Sequence, residues 1–139
     1  MNNIYIEKIW SDSDLIEILV IANSEYVTAK QSCYIQKEDL IKNANRLIEY
    51  VCENSEEELY LEFGQIKGNF TPAFSMRFIQ KDLLGHINIE MDIEIADISD
   101  RSHRCKFFVE AELGSIERLC KKLTRLSDEE VGTSCSLYD

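Results

Sequence analysis

The feature of the sequence that most constrains its fold is an alternation of apolar and polar side chains from His86 to Ile95. Successive side chains on a β-strand point to opposite faces, so this segment predicts a strand with one apolar face and one polar face. A strand that is buried on both faces is apolar throughout, and the alternation therefore favours an antiparallel sheet with one solvated face. The polar positions are His86, Asn88, Glu90, Asp92 and Glu94.

Three carboxylates share the predicted polar face. Residues two positions apart on a strand lie about 6.5–7 Å from each other, so Glu90, Asp92 and Glu94 would form an acidic stripe. Acids on an open sheet are well solvated, which does not create the separate acid and base that hydrolysis by paired carboxylates requires. We therefore interpret the stripe as a binding surface rather than as a catalytic pair.

The length and the charge of the chain limit the classes of function that it can have. A chain of 139 residues is expected to form one domain with a single core, which we place at residues 1–126, followed by a frayed tail at 127–139. With 15 basic and 26 acidic residues the formal charge is −11, which argues against binding to nucleic acid or to an anionic membrane. The charge either serves solubility alone or complements a basic partner.

The sequence predicts a cytoplasmic protein with free thiols. It shows neither the apolar segment of a secretion signal nor a run long enough to span a bilayer. Its five cysteines include no CxxC pair, and an odd number cannot all pair internally, so we expect reduced thiols and no zinc site. Cys135 falls in the predicted tail and is expected to be exposed.

The first half of the chain predicts three strands and one helix. The strands are placed at Ile4–Trp10, Leu15–Ala22 and Tyr26–Ile35, with a turn at residues 23–25. The helix is placed at about Lys37–Cys52, because the apolar positions then change to a helical period. These positions are Leu40, Ile41, Ala44, Leu47, Ile48 and Val51.

The second half predicts four more strands and a second helix. The strands are placed at Leu59–Phe63, Ala73–Gln80, His86–Ile95 and Cys105–Leu113, and the helix at residues 116–126, with Ser115 as its N-cap. The order is then β-β-β-α-β-β-β-β-α. This order predicts an α+β fold in which two helices pack on the apolar face of an antiparallel sheet of about five to seven strands.

Other catalytic and metal sites have little support in the sequence. His86 with Glu90, or His103 with Asp100, lacks the spacing of a metal site. A Cys105 nucleophile would lie on an apolar strand face, where its thiolate is unfavourable. There is also no GxGxxG, P-loop or GxSxG motif. We therefore expect no enzymatic activity, no cofactor and no metal.

Aromatic side chains among the charges of the polar face are typical of a protein-binding patch. Phe108 lies between charged residues on its predicted strand, and Tyr60 lies close to Glu62. A long acidic surface would also accelerate capture of a basic partner. The candidate partner-binding residues are Glu90, Asp92, Glu94, Glu110, Glu112, Tyr60 and Phe108.

The pattern of the chain resembles a family of small bacterial proteins. Trp10–Leu15 leads into a two-stranded unit and a helix at Leu40–Tyr50, and later Gly85-His86-Ile87 opens a strand. Phe107–Glu110 then runs into the final helix. This arrangement is similar to immunity proteins of polymorphic toxin and contact-dependent inhibition systems. The resemblance implies a non-catalytic cytosolic protein that binds and blocks a cognate toxin, often a nuclease with a basic active site.

Three alternatives remain open at this point, and one of them is an enzyme of unknown type. A small-ligand-binding or regulatory domain would hold its ligand between the sheet and the helices, in a pocket lined by Phe74, Phe78 and Phe107. Separately, an exposed strand edge would allow the chain to form a homodimer.

Overall fold

The protein folds into one antiparallel sheet and two helices. The computed structural model describes residues 2–53, 58–65, 72–95, 97–98, 101 and 103–138. In chain order, the elements that these residues form are β1 (Asn3–Ser11), β2 (Leu15–Asn23), β3 (Thr28–Gln36), α1 (Lys37–Glu53), β4 (Glu58–Gln65), β5 (Pro72–Gln80), β6 (His86–Ile95), β7 (His103–Glu112), α2 (Leu113–Leu126) and β8 (Ser134–Ser136).

The order of strands across the sheet is β7-β6-β5-β4-β3-β2-β1-β8. Every neighbouring pair of strands is antiparallel. Strands β1 to β7 lie side by side in chain order, and β8 returns to pair with β1. The predicted α+β fold, the antiparallel sheet and the two helices are confirmed. The described sheet has eight strands where five to seven were predicted, because the short last strand was not recognised.

One face of the sheet forms the core. The apolar side chains of β6 are buried on this face as the alternation predicts, and the apolar stripes of both helices belong to the same cluster. The ring of Tyr50 on α1 lies 6.2 Å from that of Phe78 on β5. Burial of each large aliphatic side chain contributes about 1.5–3 kcal/mol. The sheet is therefore covered on one face and left open to solvent on the other.

Helix α2 begins earlier than predicted and without the expected cap. Its first residue is Leu113, and the preceding Glu112 makes no side-chain capping bond. The Leu113 N–H donates instead to the carbonyl of Gly85, at 2.8 Å, in the turn before β6. Ser115 lies buried in the first turn, where its hydroxyl accepts a hydrogen bond from Arg118. The Ser115 N-cap prediction is wrong because a backbone contact from another turn starts the helix.

The expectation that residues 127–139 form a frayed tail is also wrong. Ser134–Ser136 form β8, in which Cys135 lies opposite Ile6 of β1. Cys135 has 0% exposure, and the next apolar residue, Leu137, is also buried. Two apolar residues among serines give too weak a signal for strand prediction. In the folded protein, burial of these two residues beside β1 favours formation of β8.

A buried lysine joins β1 to the end of α2. Lys8 is only 4% exposed, and its Nζ donates to the carbonyl oxygens of Ser127, at 2.8 Å, and Glu129, at 2.7 Å. These carbonyls lie at and beyond the C-terminus of α2, where the helix dipole favours a cation. The backbone of Lys8 also exchanges hydrogen bonds with Gly132 and Thr133. Lys8 therefore holds the turn that leads into β8.

Few of the described residues pair between β3 and β4. Among them, only Tyr34 and Gln65 form a strand pair across this boundary. Gly64 has a positive φ of 55°, and a side chain there would come within 2.7 Å of the Cys33 sulfur, so the close approach of the two strands requires glycine. Away from this point, Gln31 of β3 donates to the Glu94 carbonyl of β6 at 3.0 Å, which brings β6 towards β3.

The replacement Lys8→Met is expected to destabilise the protein. It removes two charge-assisted hydrogen bonds and leaves their carbonyl acceptors buried, at a cost of about 2–4 kcal/mol in the free energy of unfolding. Urea denaturation followed by circular dichroism measures this loss. Lys30→Met, at an exposed position on β3, is the control and should change stability little. Equal stability of both variants would contradict the role assigned to Lys8.

Thiol labelling of the native protein should separate buried from exposed cysteines. Burial raises the pKa of Cys33 and of Cys120 to about 12, so these thiols stay protonated at pH 8. Cys52 is exposed and should react first with iodoacetamide, as peptide mass spectrometry of the labelled sites would show. Cys135 should be protected until the protein unfolds, and labelling of Cys135 as fast as Cys52 would contradict the presence of β8.

Candidate functional site

The open face of β4–β7 carries most of the residues predicted to bind a partner. We call this surface the acidic face, because its charged side chains comprise seven carboxylates and three Lys or Arg residues. The carboxylates are Glu58, Glu62, Glu90, Asp92, Glu94, Glu110 and Glu112, and the cations are Arg77, Arg104 and Lys106.

The three cations lie among the carboxylates of β6. Arg104 Nε is 2.9 Å from Asp92 Oδ1, and both Lys106 Nζ and Arg77 Nε lie within 4 Å of Glu90 Oε1. Arg77 lies directly opposite Glu90 in the strand register, whereas Lys106 lies opposite Asp92 and Arg104 opposite Glu94, so these two cations reach their carboxylates diagonally. The stripe is thus a mixed network of ion pairs rather than a line of uncompensated negative charge.

The prediction that Glu94 is an exposed binding residue is wrong. Glu94 is only 7% exposed, and its carboxylate lies 3.5 Å from Arg104 Nη1. Its backbone carbonyl accepts a hydrogen bond from Gln31, so the end of β6 lies close to β3, which is distant in sequence. Strand alternation predicts the face on which a side chain lies, but it cannot show how deeply that side chain is buried.

Three of the predicted residues are brought together in a line across the strands. Tyr60 of β4, Arg77 of β5, Glu90 of β6 and Phe108 of β7 are direct neighbours in register. We call this line the cross-strand row. Tyr60 is 38% and Phe108 50% exposed, so an aromatic side chain lies at each end of a central Arg–Glu pair.

Arg77 is held in place within the row. Its guanidinium carbon lies 4.6 Å from the centre of the Tyr60 ring, which is a cation–π contact. Its Nη1 also lies 2.6 Å from Glu58 Oε1, and this hydrogen bond, together with nearby acids, raises the Arg77 pKa. Arg77 therefore stays charged and orders the surrounding side chains.

Glu110 and Glu112 extend the acidic face along β7 beyond Phe108. Glu110 lies opposite Asn88 and forms an ion pair with Lys81 at 3.1 Å. Glu112 lies opposite His86 and is exposed. Among the described residues Glu112 has no ion-pair partner. The structure therefore places both residues on the predicted face, at the end opposite to Glu94.

The two histidines bind aspartates at the two ends of the β6–β7 hairpin. His86 Nδ1 is 2.7 Å from Asp82 Oδ2, and His103 Nε2 is 2.7 Å from Asp97 Oδ2. These hydrogen bonds are the main reason why the pKa values of both aspartates are lowered. Asp100, considered above as a partner of His103, lies outside the described residues. Within the part of the chain that is described, no three His, Cys, Asp or Glu residues are grouped as metal ligands would be.

The structure also contains a groove that the sequence did not reveal. It lies where β3 and β4 separate over α1, and its volume is about 840 Å³. Its lining includes Tyr34 of β3, Lys42 and Arg46 of α1, and Tyr60 and Glu62 of β4. The polar spacing of Lys42 and Arg46 on one helix face is visible in the sequence, but the separation of the strands is not.

Within the described part of the chain, the side chains predicted to line a small-ligand pocket are packed in the core. Phe74 and Phe78 are fully buried, and Phe107 is buried in the same cluster. The rings of Phe63 and Phe74 stack with their centres 4.7 Å apart. These side chains fill the core between the sheet and the helices.

Low pH should lower the free energy of unfolding, partly because it disrupts the two Asp–His pairs. A folded-state pKa below the unfolded value means that the aspartate stabilises the fold above the unfolded pKa of about 3.9. This stabilisation is lost as the pH falls through the folded pKa. Asp82→Asn with Asp97→Asn should therefore reduce the difference in unfolding free energy between pH 7 and pH 2.5, measured by urea denaturation.

The control for this measurement is Asp128→Asn, at an exposed position in the turn after α2. It removes a carboxylate to which no other described side chain donates a hydrogen bond. Its pH dependence should match that of the wild type. An Asp82/Asp97 variant with the wild-type pH dependence would contradict the stabilising role of the two pairs.

Comparison with known proteins adds little to the geometry. No protein-family model matches the chain, and no curated protein matches it. Among solved structures the chain is similar to one from Trypanosoma bruciei, described as crystal structures of MRP1/MRP2, at 8% sequence identity. The match covers 92% of this chain and 87% of that chain, with a TM-score of 0.43. The sequence identity and the TM-score are both too low to transfer a family or a function.

Proposed function

We propose that the protein is a non-catalytic, immunity-type protein that binds and neutralises a basic bacterial toxin through its acidic face. The observation that carries this proposal is the cross-strand row, in which Tyr60 and Phe108 flank the Arg77–Glu90 pair. Exposed aromatic residues and arginine are the side chains that most often dominate the energy of protein interfaces. The resemblance to immunity proteins in the sequence supports the same class of function.

The ion pairs of the acidic face prepare it for binding. A free side chain loses rotamer freedom when a partner immobilises it, at a cost of about 0.5–1.5 kcal/mol. Arg77 is already held by Glu58 and Tyr60, and Arg104 by Asp92. A partner that docks here therefore meets side chains that are largely ordered beforehand.

The charge of the face favours a basic partner even though many acids are paired. Seven carboxylates against three cations leave the face negative, in a chain whose total charge is −11. A negative surface steers a basic protein into contact and makes association depend on salt. Inhibition would follow if the acidic face covered a cleft in which the toxin binds nucleic-acid phosphates.

The proposal places the protein in the cytoplasm, where such a toxin would act. The supporting observation is limited to the helices. Neither of the two helices in the described part of the chain is long and apolar enough to cross a membrane.

A homodimer through β7 is a further expectation about assembly. β7 is an edge strand of the described sheet. The Glu110 N–H on this edge donates to Asn2 Oδ1 at 3.2 Å, so the segment before β1 already covers part of it. This contact makes pairing of two β7 edges less favourable than an open edge would allow.

The proposal expects a gene for a toxin domain beside the gene of this protein, and the test uses that domain. Co-expression of the wild-type chain should restore the growth of cells that produce this domain. Phe108→Ala should weaken binding of the purified toxin by about ten- to a hundredfold in calorimetry, because it removes one of the two exposed aromatic anchors of the cross-strand row. Glu112→Lys should slow association at low salt in stopped-flow measurements, because it reduces the negative field without breaking an ion pair.

Tyr26→Ala is the matched control. Tyr26 is a more exposed aromatic residue, at 87%, in the turn between β2 and β3, away from the acidic face. The Tyr26→Ala variant should bind the toxin as the wild type does. Growth arrest that the wild-type chain does not relieve would overturn the proposed function. Equal binding by the Phe108 and Tyr26 variants would overturn the assigned surface.

A small-ligand-binding or regulatory domain remains the second candidate function. The groove between β3 and β4 is the observation that favours it, since its volume falls in the usual range of ligand sites, roughly 300–1,000 Å³.

A further inference from the structure

Among the described residues, one edge of β4 lacks a partner strand along most of its length. β5 pairs with β4 from Glu58 to Gln65, whereas on the other side only Gln65 pairs, with Tyr34. The Glu62 carbonyl points away from β5, because it accepts a hydrogen bond from Asn43 Nδ2 of α1 at 2.7 Å. Backbone groups two residues apart point to the same side of a strand, so the N–H and C=O of Tyr60 also face the groove.

The facing edge of β3 is less available. The Ser32 N–H already donates a hydrogen bond to the side-chain oxygen of Gln31. The side-chain nitrogen of Gln31 in turn donates to the Glu94 carbonyl. By contrast, among the described residues the backbone of Tyr60 has no backbone partner outside the β4–β5 ladder. An extended chain entering the groove would therefore pair with β4, at Tyr60 and Glu62.

The helix side of the groove presents two cations, Lys42 and Arg46, and one carboxylate, Asp39. Lys42 and Arg46 lie one turn apart on α1, are exposed, and line the groove. Neither forms an ion pair with any other described residue, whereas all three cations of the acidic face are paired. The Glu62 carboxylate, which also lines the groove, is bonded to the Tyr60 hydroxyl at 3.0 Å.

We propose that this groove binds an extended peptide segment with acidic side chains, which adds to β4 as a further strand. The backbone of Tyr60 and the N–H of Glu62 would supply main-chain hydrogen bonds, as in other proteins that bind peptides by strand addition, while the Glu62 carbonyl keeps its bond to Asn43. Lys42 and Arg46 would pair with carboxylates on the peptide face that points to α1. Tyr34 and Tyr60 border the site with aromatic surface. The groove shares Tyr60 with the cross-strand row, but it would bind an acidic partner rather than a basic one. The proposal therefore goes beyond the proposed function.

The experiment uses a fluorescein-labelled peptide of alternating Val and Glu, six residues long, added to the whole protein. Fluorescence anisotropy should show saturable binding, and the Tyr60 and Glu62 amide signals should shift in NMR spectra and exchange more slowly with solvent. The same peptide with Lys in place of Glu should bind at least about tenfold more weakly. A peptide that is N-methylated at alternate amides keeps its charge but cannot pair with β4, and should not bind.

Charge-reversed variants locate the site. Lys42→Glu with Arg46→Glu should weaken binding of the Val/Glu peptide by at least about tenfold. Lys121→Glu with Arg125→Glu makes the same charge change on exposed positions of α2 and should bind as the wild type does. Phe108→Ala should also leave this binding unchanged, which separates the groove from the proposed toxin surface.

Three results would overturn the proposal. Absence of binding to the Val/Glu peptide excludes the site. Equal binding of the N-methylated peptide shows anion binding without strand addition. Equal loss of binding in both charge-reversed variants shows that only the net charge of the protein matters.

Discussion

The structure depends on burial of one face of a single antiparallel sheet. The apolar side chains of every long strand and the stripes of α1 and α2 meet in one cluster. Since the helices occupy one face only, the opposite face must be stable in water. Charged residues on β4–β7 meet this requirement by pairing across the strands, so the surface that could bind a partner is also a consequence of how the sheet is covered.

Periodicity was sufficient to predict the order of the elements along the chain. The alternation at His86–Ile95 and the helical spacing from Leu40 to Val51 both appear in the structure where they were expected. All seven predicted strands and both helices are present. The short β8 and the start of α2 were missed, because each depends on contacts with distant residues, namely β1 and the Gly85 carbonyl.

The candidate site was predicted only in part. Alternation placed Tyr60, Glu90 and Phe108 on the solvent side, but only the register showed that they form one row. The charges of Arg77, Arg104 and Lys106 were visible in the sequence, whereas their pairing with Glu90 and Asp92 was not. The groove depends on the separation of β3 from β4, beside which Gln31 bonds to β6 and Asn43 to β4. No local pattern encodes that combination.

The contact of Lys8 with the end of α2 has a consequence for the order in which the chain can fold. The Lys8 ammonium and its first carbonyl acceptor, on Ser127, are 119 residues apart in sequence. During translation, β1 leaves the ribosome long before α2 and β8 are made. Until then its ammonium must remain hydrated, and one edge of β1 stays uncovered. This side of the sheet is therefore completed only after the whole chain has been synthesised. Until then, the first strand is the part of the nascent chain that is most exposed to aggregation.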